Sequence, residues 1–248
     1  MASSRPRWLY RFVRDRSAQT ETVGVILILG LVIVSTTAVV AFGSAAIDDV
    51  QTQSELDRAE NGMTLLDSRL STVALGDAES QRIDLPTTSG SYTVDPDAGT
   101  IRIVHRNYDG TNDATLVPTT SLGAIVYRNG DRSIAYQGGG VWRANRGGAA
   151  KMVSPPEFHY RQGTLTFPLV RVEGSGGATG RAAVTAQSTG DGTPVYPNDS
   201  AAYPDGSDYT NPVENGTVEV IIQSEYAAGW GSYFETRTDG NVSYPGPD

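Results

Sequence analysis

Val23 to Ile47 reads VGVILILGLVIVSTTAVVAFGSAAI, and no charged residue occurs from Thr22 to Ile47. Wound as a helix at about 1.5 Å per residue, these 25 residues extend about 37 Å. That is enough to cross a hydrocarbon core of roughly 30 Å with some tilt. Immediately before the stretch, Arg5, Arg7, Arg11, Arg14 and Arg16 stand against one acid, Asp15. Cations collect on the cytoplasmic side of a span. The expected topology is therefore single-pass in the cell membrane, with the N-terminus cytoplasmic and the chain after Ile47 extracellular. Two other readings compete. A cleaved secretory signal would use Ser44-Ala45-Ala46 as its small-residue site, but its apolar region is only about 7–15 residues. A buried core helix is disfavoured by the length and the basic flank.

Outside the span, composition excludes much chemistry. The 248 residues carry 19 Lys+Arg and 28 Asp+Glu, a net charge of −9, and Lys151 is the only lysine. From Gln19 onward 14 cations face 27 acids, a net of −13. Binding nucleic acid needs clustered cations to neutralise phosphates, so no nucleic-acid partner is expected. Cysteine is absent, which removes disulfides, thiolate metal sites and Cys nucleophiles. His105 and His159 are the only histidines, too few for a multi-His metal site. No cofactor is expected. Many hydrated carboxylates with almost no lysine suit concentrated salt, where screening removes self-repulsion. A halophilic source is expected; GC-rich codons explain the arginines but not the acid excess.

Arg14 to Val34 reads RDRSAQTETVGVILILGLVIV. This junction resembles the class III signal of archaeal, and in particular haloarchaeal, type IV pilin-like proteins, the archaellin-pilin N-terminal signal family. The resemblance covers about 30 residues of the 248. It implies a basic leader, residues 1–18, removed by a prepilin peptidase on the cytoplasmic side. The apolar helix, residues 19–47, then remains on the mature protein as anchor and as the packing core of an assembly. The family places Gly or Ala directly after a basic residue at the cut. Here Arg16-Ser17-Ala18 intervenes, and cleavage between Ala18 and Gln19 is preferred over cleavage after Ser17. Glu21 would then be the third mature residue. In the similar bacterial pilins a glutamate at mature position five pairs with a neighbour's new amine, and Glu21 at position three departs from that placing. The physical alternative is a solvated carboxylate favoured by the dipole at a helix N-terminus.

Beyond the span, Val50, Leu56, Ala59, Met63, Leu66, Leu70 and Val73 recur mostly at three- and four-residue steps between charged residues. That period predicts an amphipathic stalk helix over residues 48–76, with Gly76 as its C-cap and a weak point at Asn61-Gly62. No proline interrupts Gln19 to Leu75, so one helix of about 55 residues, roughly 85 Å, is allowed. Residues 77–248 read as an extracellular β-rich head, making the fold class α+β. Three hairpins are expected: Tyr92–Val94 with Ile101–Val104 across Asp95–Gly99, Ala124–Tyr127 with Ser133–Tyr136, and Glu157–Tyr160 with Leu165–Val172. Ala182–Gln187 and Thr217–Ser224 add strands. The expected architecture is a mainly antiparallel sandwich or partly open barrel packed on the stalk. Residues 189–215 read as a long exposed loop. Tyr226 to Glu235 places Tyr226, Trp230, Tyr233 and Phe234 on one face of a short C-terminal helix. That face either docks on the sheet or stacks on sugars.

Three sequons, at Asn198, Asn215 and Asn241, lie in loop-like contexts of the predicted outside domain and are candidate N-glycosylation sites. Asn107–Asp113 and Asp205–Asp208 are acid–Gly loops of the kind that hold Ca²⁺, but neither has EF-hand spacing, and solvated turns are the simpler reading. No nucleophile elbow, zincin, Walker or dinucleotide motif is present, so no catalytic residue is expected. Two functions follow. One is a pilin-like subunit, structural or minor, acting in adhesion or surface interaction, with membrane lipid, the prepilin peptidase and pilin-like subunits as partners. The other is a single-span anchored binding module that does not polymerise. An anchored hydrolase is the weakest reading.

Overall fold

A computed structural model describes residues 17–74, 78–86, 89–145, 149–161, 164–189, 195–209, 215–238 and 240–244. Helix α1 runs Ser17–Ala74. The strands follow: β1 Ser80–Leu85, β2 Ser91–Asp95, β3 Thr100–Arg106, β4 Ala114–Ser121, β5 Ala124–Asn129, β6 Arg132–Gln137, β7 Gly140–Asn145 and β8 Lys151–Ser154. Then come β9 His159–Arg161, β10 Thr164–Thr166, β11 Gly176–Thr179, β12 Ala182–Gln187, β13 Asn198–Ala202, β14 Asp208–Tyr209 and β15 Thr217–Gln223. Helix α2, Ala227–Arg237, closes the order. The chain divides into two compact units, Met1–Gln53 and Ser54–Asp248.

In the first unit, α1 carries the uncharged stretch. In the second, the last five turns of α1 form a core seam. Leu56, Ala59, Met63 and Leu66 are fully buried, whereas Val50, expected on the same face, is 70% exposed. The helix runs through Asn61-Gly62 without a break. Gly62 faces Pro86, whose ring occupies the space a Cβ would need. The glycine therefore serves close approach, not flexibility. The expected cap at Gly76 lies outside the described residues.

The seam packs on a six-stranded antiparallel sheet ordered β11-β2-β5-β6-β7-β8. Tyr92, Ile125, Tyr127, Ile134, Tyr136 and Val141 form that face, joined by Ile83, Leu85 and Ala182 from the β1–β12 pair. The opposite face is Ala124, Val126, Ala135, Trp142 and Ala144, covered by Tyr226, Trp230 and Tyr233 around α2. Alternate side chains point to opposite faces. Covering both faces is why the central strands carry nearly unbroken buried runs. The β region is antiparallel as expected, but no barrel closes: the sheets are open.

The first expected hairpin is not one. β2 pairs with β5 and β11, while β3 pairs with β4 and β15 in a separate three-stranded sheet. Residues 91–106 instead form one side of a long ribbon against 114–129, with Asp95 opposite Ala124 and Thr100 opposite Ser121. The true hairpin tip is Asn107–Asp113. Asp95–Gly99 is a corner at which the ribbon folds from one sheet into the next, a recognised way of turning between sheets. The partner strand turns at Leu122-Gly123. Leu122 donates its N–H to Gly99 O at 3.0 Å, and Val172 donates to Leu122 O at 2.8 Å. Gly123 has φ +62, and a Cβ there would overlap the Val172 carbonyl.

The second expected hairpin is β5–β6, in register from Ile125–Tyr136 to Asn129–Arg132. The third is reduced to β9–β10. Pro168 has no N–H for a ladder, and the chain beyond Thr166 leaves the strand. Within the expected loop 189–215, β13 and β14 pair and bury Tyr203 and Tyr209 against Tyr108 and Ala114.

Candidate functional site

Val23–Ser44 is a 22-residue stretch of α1, about 33 Å at 1.5 Å per residue, long and apolar enough to cross a membrane. None of it is buried within the protein. Leu27, Leu31, Val34 and Phe42 are 67%, 69%, 68% and 78% exposed. The hydroxyls in it are satisfied by the helix itself. Ser35 Oγ donates to Leu31 O at 2.6 Å, Thr36 Oγ1 to Val32 O at 2.7 Å and Thr37 Oγ1 to Ile33 O at 2.8 Å. Ser44 Oγ donates to Ala41 O at 3.0 Å. Such bonds to the preceding turn leave no unpaired polar group, the condition for placing a helix in hydrocarbon. A water-soluble surface would not present this many contiguous large apolar side chains.

The residues expected at the leader junction, Ala18, Gln19 and Glu21, lie in the first turns of α1. Their side chains, and the arginine head before Ser17, lie outside the described residues. The three sequons lie in different segments of the β-rich unit. Asn241 is exposed in an irregular segment after α2. Asn215 is exposed, and its carbonyl accepts from His105 Nε2 at 2.5 Å. Asn198 is half-buried in β13, with its Oδ1 accepting from Ser200 N–H at 2.9 Å.

The two acid–Gly loops come together. Tyr108 stacks on Tyr203 with ring centres 4.5 Å apart, and Tyr203 meets Tyr209 edge-on at 4.5 Å. Their carboxylates are spent on turns. The Asn112 amide and the Asn112 and Thr111 backbone N–H groups hold Asp109 well below the usual carboxylate range. The Ser207 hydroxyl and N–H lower Asp205 as well. Among the described residues no group of three or more His, Asp or Glu could hold a metal ion. His105 is buried between Tyr203 Oη, 2.9 Å from Nδ1, and the Asn215 carbonyl. A carbonyl only accepts, so Nε2 carries the hydrogen and Nδ1 accepts from the tyrosine. The side chain of His159 lies outside the described residues.

Tyr226 at the N-cap of α2, and Trp230 and Tyr233 on it, are each 2% exposed, and the Trp230 ring centre lies 4.4 Å from that of Trp142. Docking, not sugar stacking, is their role. An open crevice of about 3010 Å³ runs between the β3–β4–β15 sheet, β12 and residues 166–178. Small-molecule pockets hold about 300–1,000 Å³; this crevice is the gap between sheets that do not close.

One group escaped the sequence reading. Asp67 is 7% exposed on α1, in phase with Met63 and Leu70, and accepts from Ser154 Oγ at 2.6 Å. Burial pushes its carboxyl up to about 6; the Ser154 bond opposes this and Glu157 adds to it. The signal was its place on the apolar period, between seam residues.

No curated protein and no solved structure is significantly similar to this chain. A family match covers residues 17–246, taking in the apolar stretch of α1 and the β region alike. The chain therefore belongs to the family of unknown function DUF7289.

Proposed function

We propose that the protein is a pilin-like, membrane-inserted cell-surface subunit, with Val23–Ser44 in the bilayer and the β-rich unit outside. The exposed apolar helix with internally satisfied hydroxyls carries this reading. The basic head before Ser17 orients it by the positive-inside rule. A prepilin peptidase removes the leader between Ala18 and Gln19, and the mature helix then packs with lipid and with pilin-like subunits. The outside unit supplies adhesion or surface contact. The acidic surface suits a halophilic archaeal source, and the exposed Asn215 and Asn241 suit glycan attachment outside the cell.

The test is mass spectrometry of the mature N-terminus from native membranes. A chain beginning at Gln19 supports a pilin-like subunit. A chain retaining the arginine head defeats leader processing and favours a single-span anchored module that does not polymerise.

A further inference from the structure

Helix α1 meets the six-stranded sheet through an apolar seam with one charge-bearing residue sealed inside it. Asp67 follows Leu66 and sits one turn after Met63, both fully buried. Its Oδ2 accepts from Ser154 Oγ on β8, while its Oδ1 is buried without a partner. A second orphan lies on β6: Tyr136 is fully buried and its Oη has no partner either. The two are close enough that the Asp67 charge, after burial, is the next influence holding the phenol's proton on. Buried polar atoms without partners are rare and costly. Two in one core, on facing elements, need a common explanation.

The surrounding charges supply it. On the segment after β8, Glu157 carries the same sign and disfavours an ionised Asp67. On β7, Arg143 is engaged with Glu60 Oε2 at 3.2 Å, nearly two turns earlier on α1. Lys151 on β8 is exposed to solvent. Among the described residues, an ionised Asp67 thus has one hydrogen bond, no counter-ion and a like charge nearby. A protonated Asp67 has an O–H to offer the orphan phenol oxygen.

We propose that Asp67 is a proton-binding latch between α1 and the six-stranded sheet. With the proton bound, Oδ1–H donates toward Tyr136 Oη through one water, because the two atoms make no direct bond, and the seam is closed. When the proton leaves to solvent, a buried carboxylate remains and the seam loosens. The sign follows from linkage. The ordinary carboxyl value is 3.8 and the folded value about 6. Between these limits the folded protein holds a proton that the unfolded chain has lost. Stability from this group is therefore full below about pH 4 and falls as pH rises through about 6. The folded-to-unfolded ratio changes by up to about tenfold per pH unit within the window. Turn carboxylates such as Asp109 and Asp205 act with the opposite sign at lower pH.

The experiment uses the full chain in detergent micelles, with urea unfolding followed between pH 4.5 and 7.5 for wild type, Asp67→Asn and Tyr136→Phe. The asparagine keeps the shape and cannot ionise. The wild-type to Asp67→Asn ratio of folding constants is expected to fall by up to about tenfold per unit toward pH 6 and then level off. An infrared carbonyl band of a protonated acid, present in wild type below pH 6 and missing from Asp67→Asn, is the second readout. Tyr136→Phe removes the acceptor and should move the wild-type midpoint to lower pH. Should Asp67→Asn not fold, the Tyr136→Phe midpoint and the wild-type band still decide. Parallel pH profiles in Asp67→Asn and wild type, an absent carbonyl band, or an unmoved midpoint in Tyr136→Phe would overturn the latch.

Discussion

Gln137 joins three parts of the fold through one amide. It is 1% exposed, and its Nε2 donates to Ala98 O at 2.7 Å. Its Oε1 accepts from Ser224 Oγ at 2.6 Å and from Trp230 Nε1 at 3.4 Å. Replacement by leucine keeps the bulk but strands the Trp230 indole N–H in the core and removes the partner of the half-buried Ala98 carbonyl and Ser224 hydroxyl. Gln137→Leu is expected to lower the unfolding free energy by about 2–4 kcal/mol, since each buried orphan costs about 1–3 kcal/mol and some are relieved by relaxation. Urea unfolding beside wild type checks this, and an unchanged midpoint would show that the amide is dispensable. Nothing in the sequence marked Gln137, which stands before Gly138-Gly139-Gly140 and reads as the edge of a turn. Asp67 was different: its position on the apolar period was visible, but a carboxylate there reads as solvated until the facing strand is known. His105 stood in no catalytic motif, and its hydrogen bonds place it as a buried structural group.

Elements with a strong local period were the legible ones. The seam of α1 and the aromatic face of α2 follow the helical repeat, and both dock on that repeat. β5–β6 was readable because its turn, Gly130-Asp131, joins strands that also pair. The Asp95–Gly99 corner defeated the same logic. Aspartate, proline and glycine suit any reversal or sharp bend, and whether the flanking strands pair depends on distant partners. Here β4 and β5 compete for β3 and β2 and win. The corner depends on Gly123, whose left-handed backbone costs about 1–2 kcal/mol for any other L-residue. The Val172 carbonyl also stands where the new methyl would go. Gly123→Ala is expected to lose about 2–4 kcal/mol in total, read as a lower urea midpoint with the same slope. A loss under half a kcal/mol would mean that the ribbon bends without needing that residue.

At the scale of the whole chain, the four fully buried residues of α1 belong to the core of the unit that begins at Ser54. A fragment from Asp77 to Asp248 lacks them and is expected to stay unfolded. A fragment from Ser54 to Asp248 is expected to fold, with a cooperative melt and dispersed amide spectra. Cooperative folding of the shorter piece would show that the seam is dispensable. The longer fragment carries 14 cations against 24 acids, a net of −10. Its melting temperature should rise from dilute buffer to molar KCl as screening relieves repulsion. The acid excess could be read by counting. The unclosed sheets could not, because which edges meet is decided by side chains a hundred residues apart. The same separation has a consequence in time. Ribosomes deliver the seam first, and Tyr136 and Ala182, which cover it, emerge about 70 to 120 residues later. At about 5–20 residues per second, the greasy stripe waits roughly 4–24 s for its lid. During that interval the newborn chain holds two apolar surfaces, one long enough to cross a bilayer and one belonging to its own unfinished core, and only the second has a lid still to come.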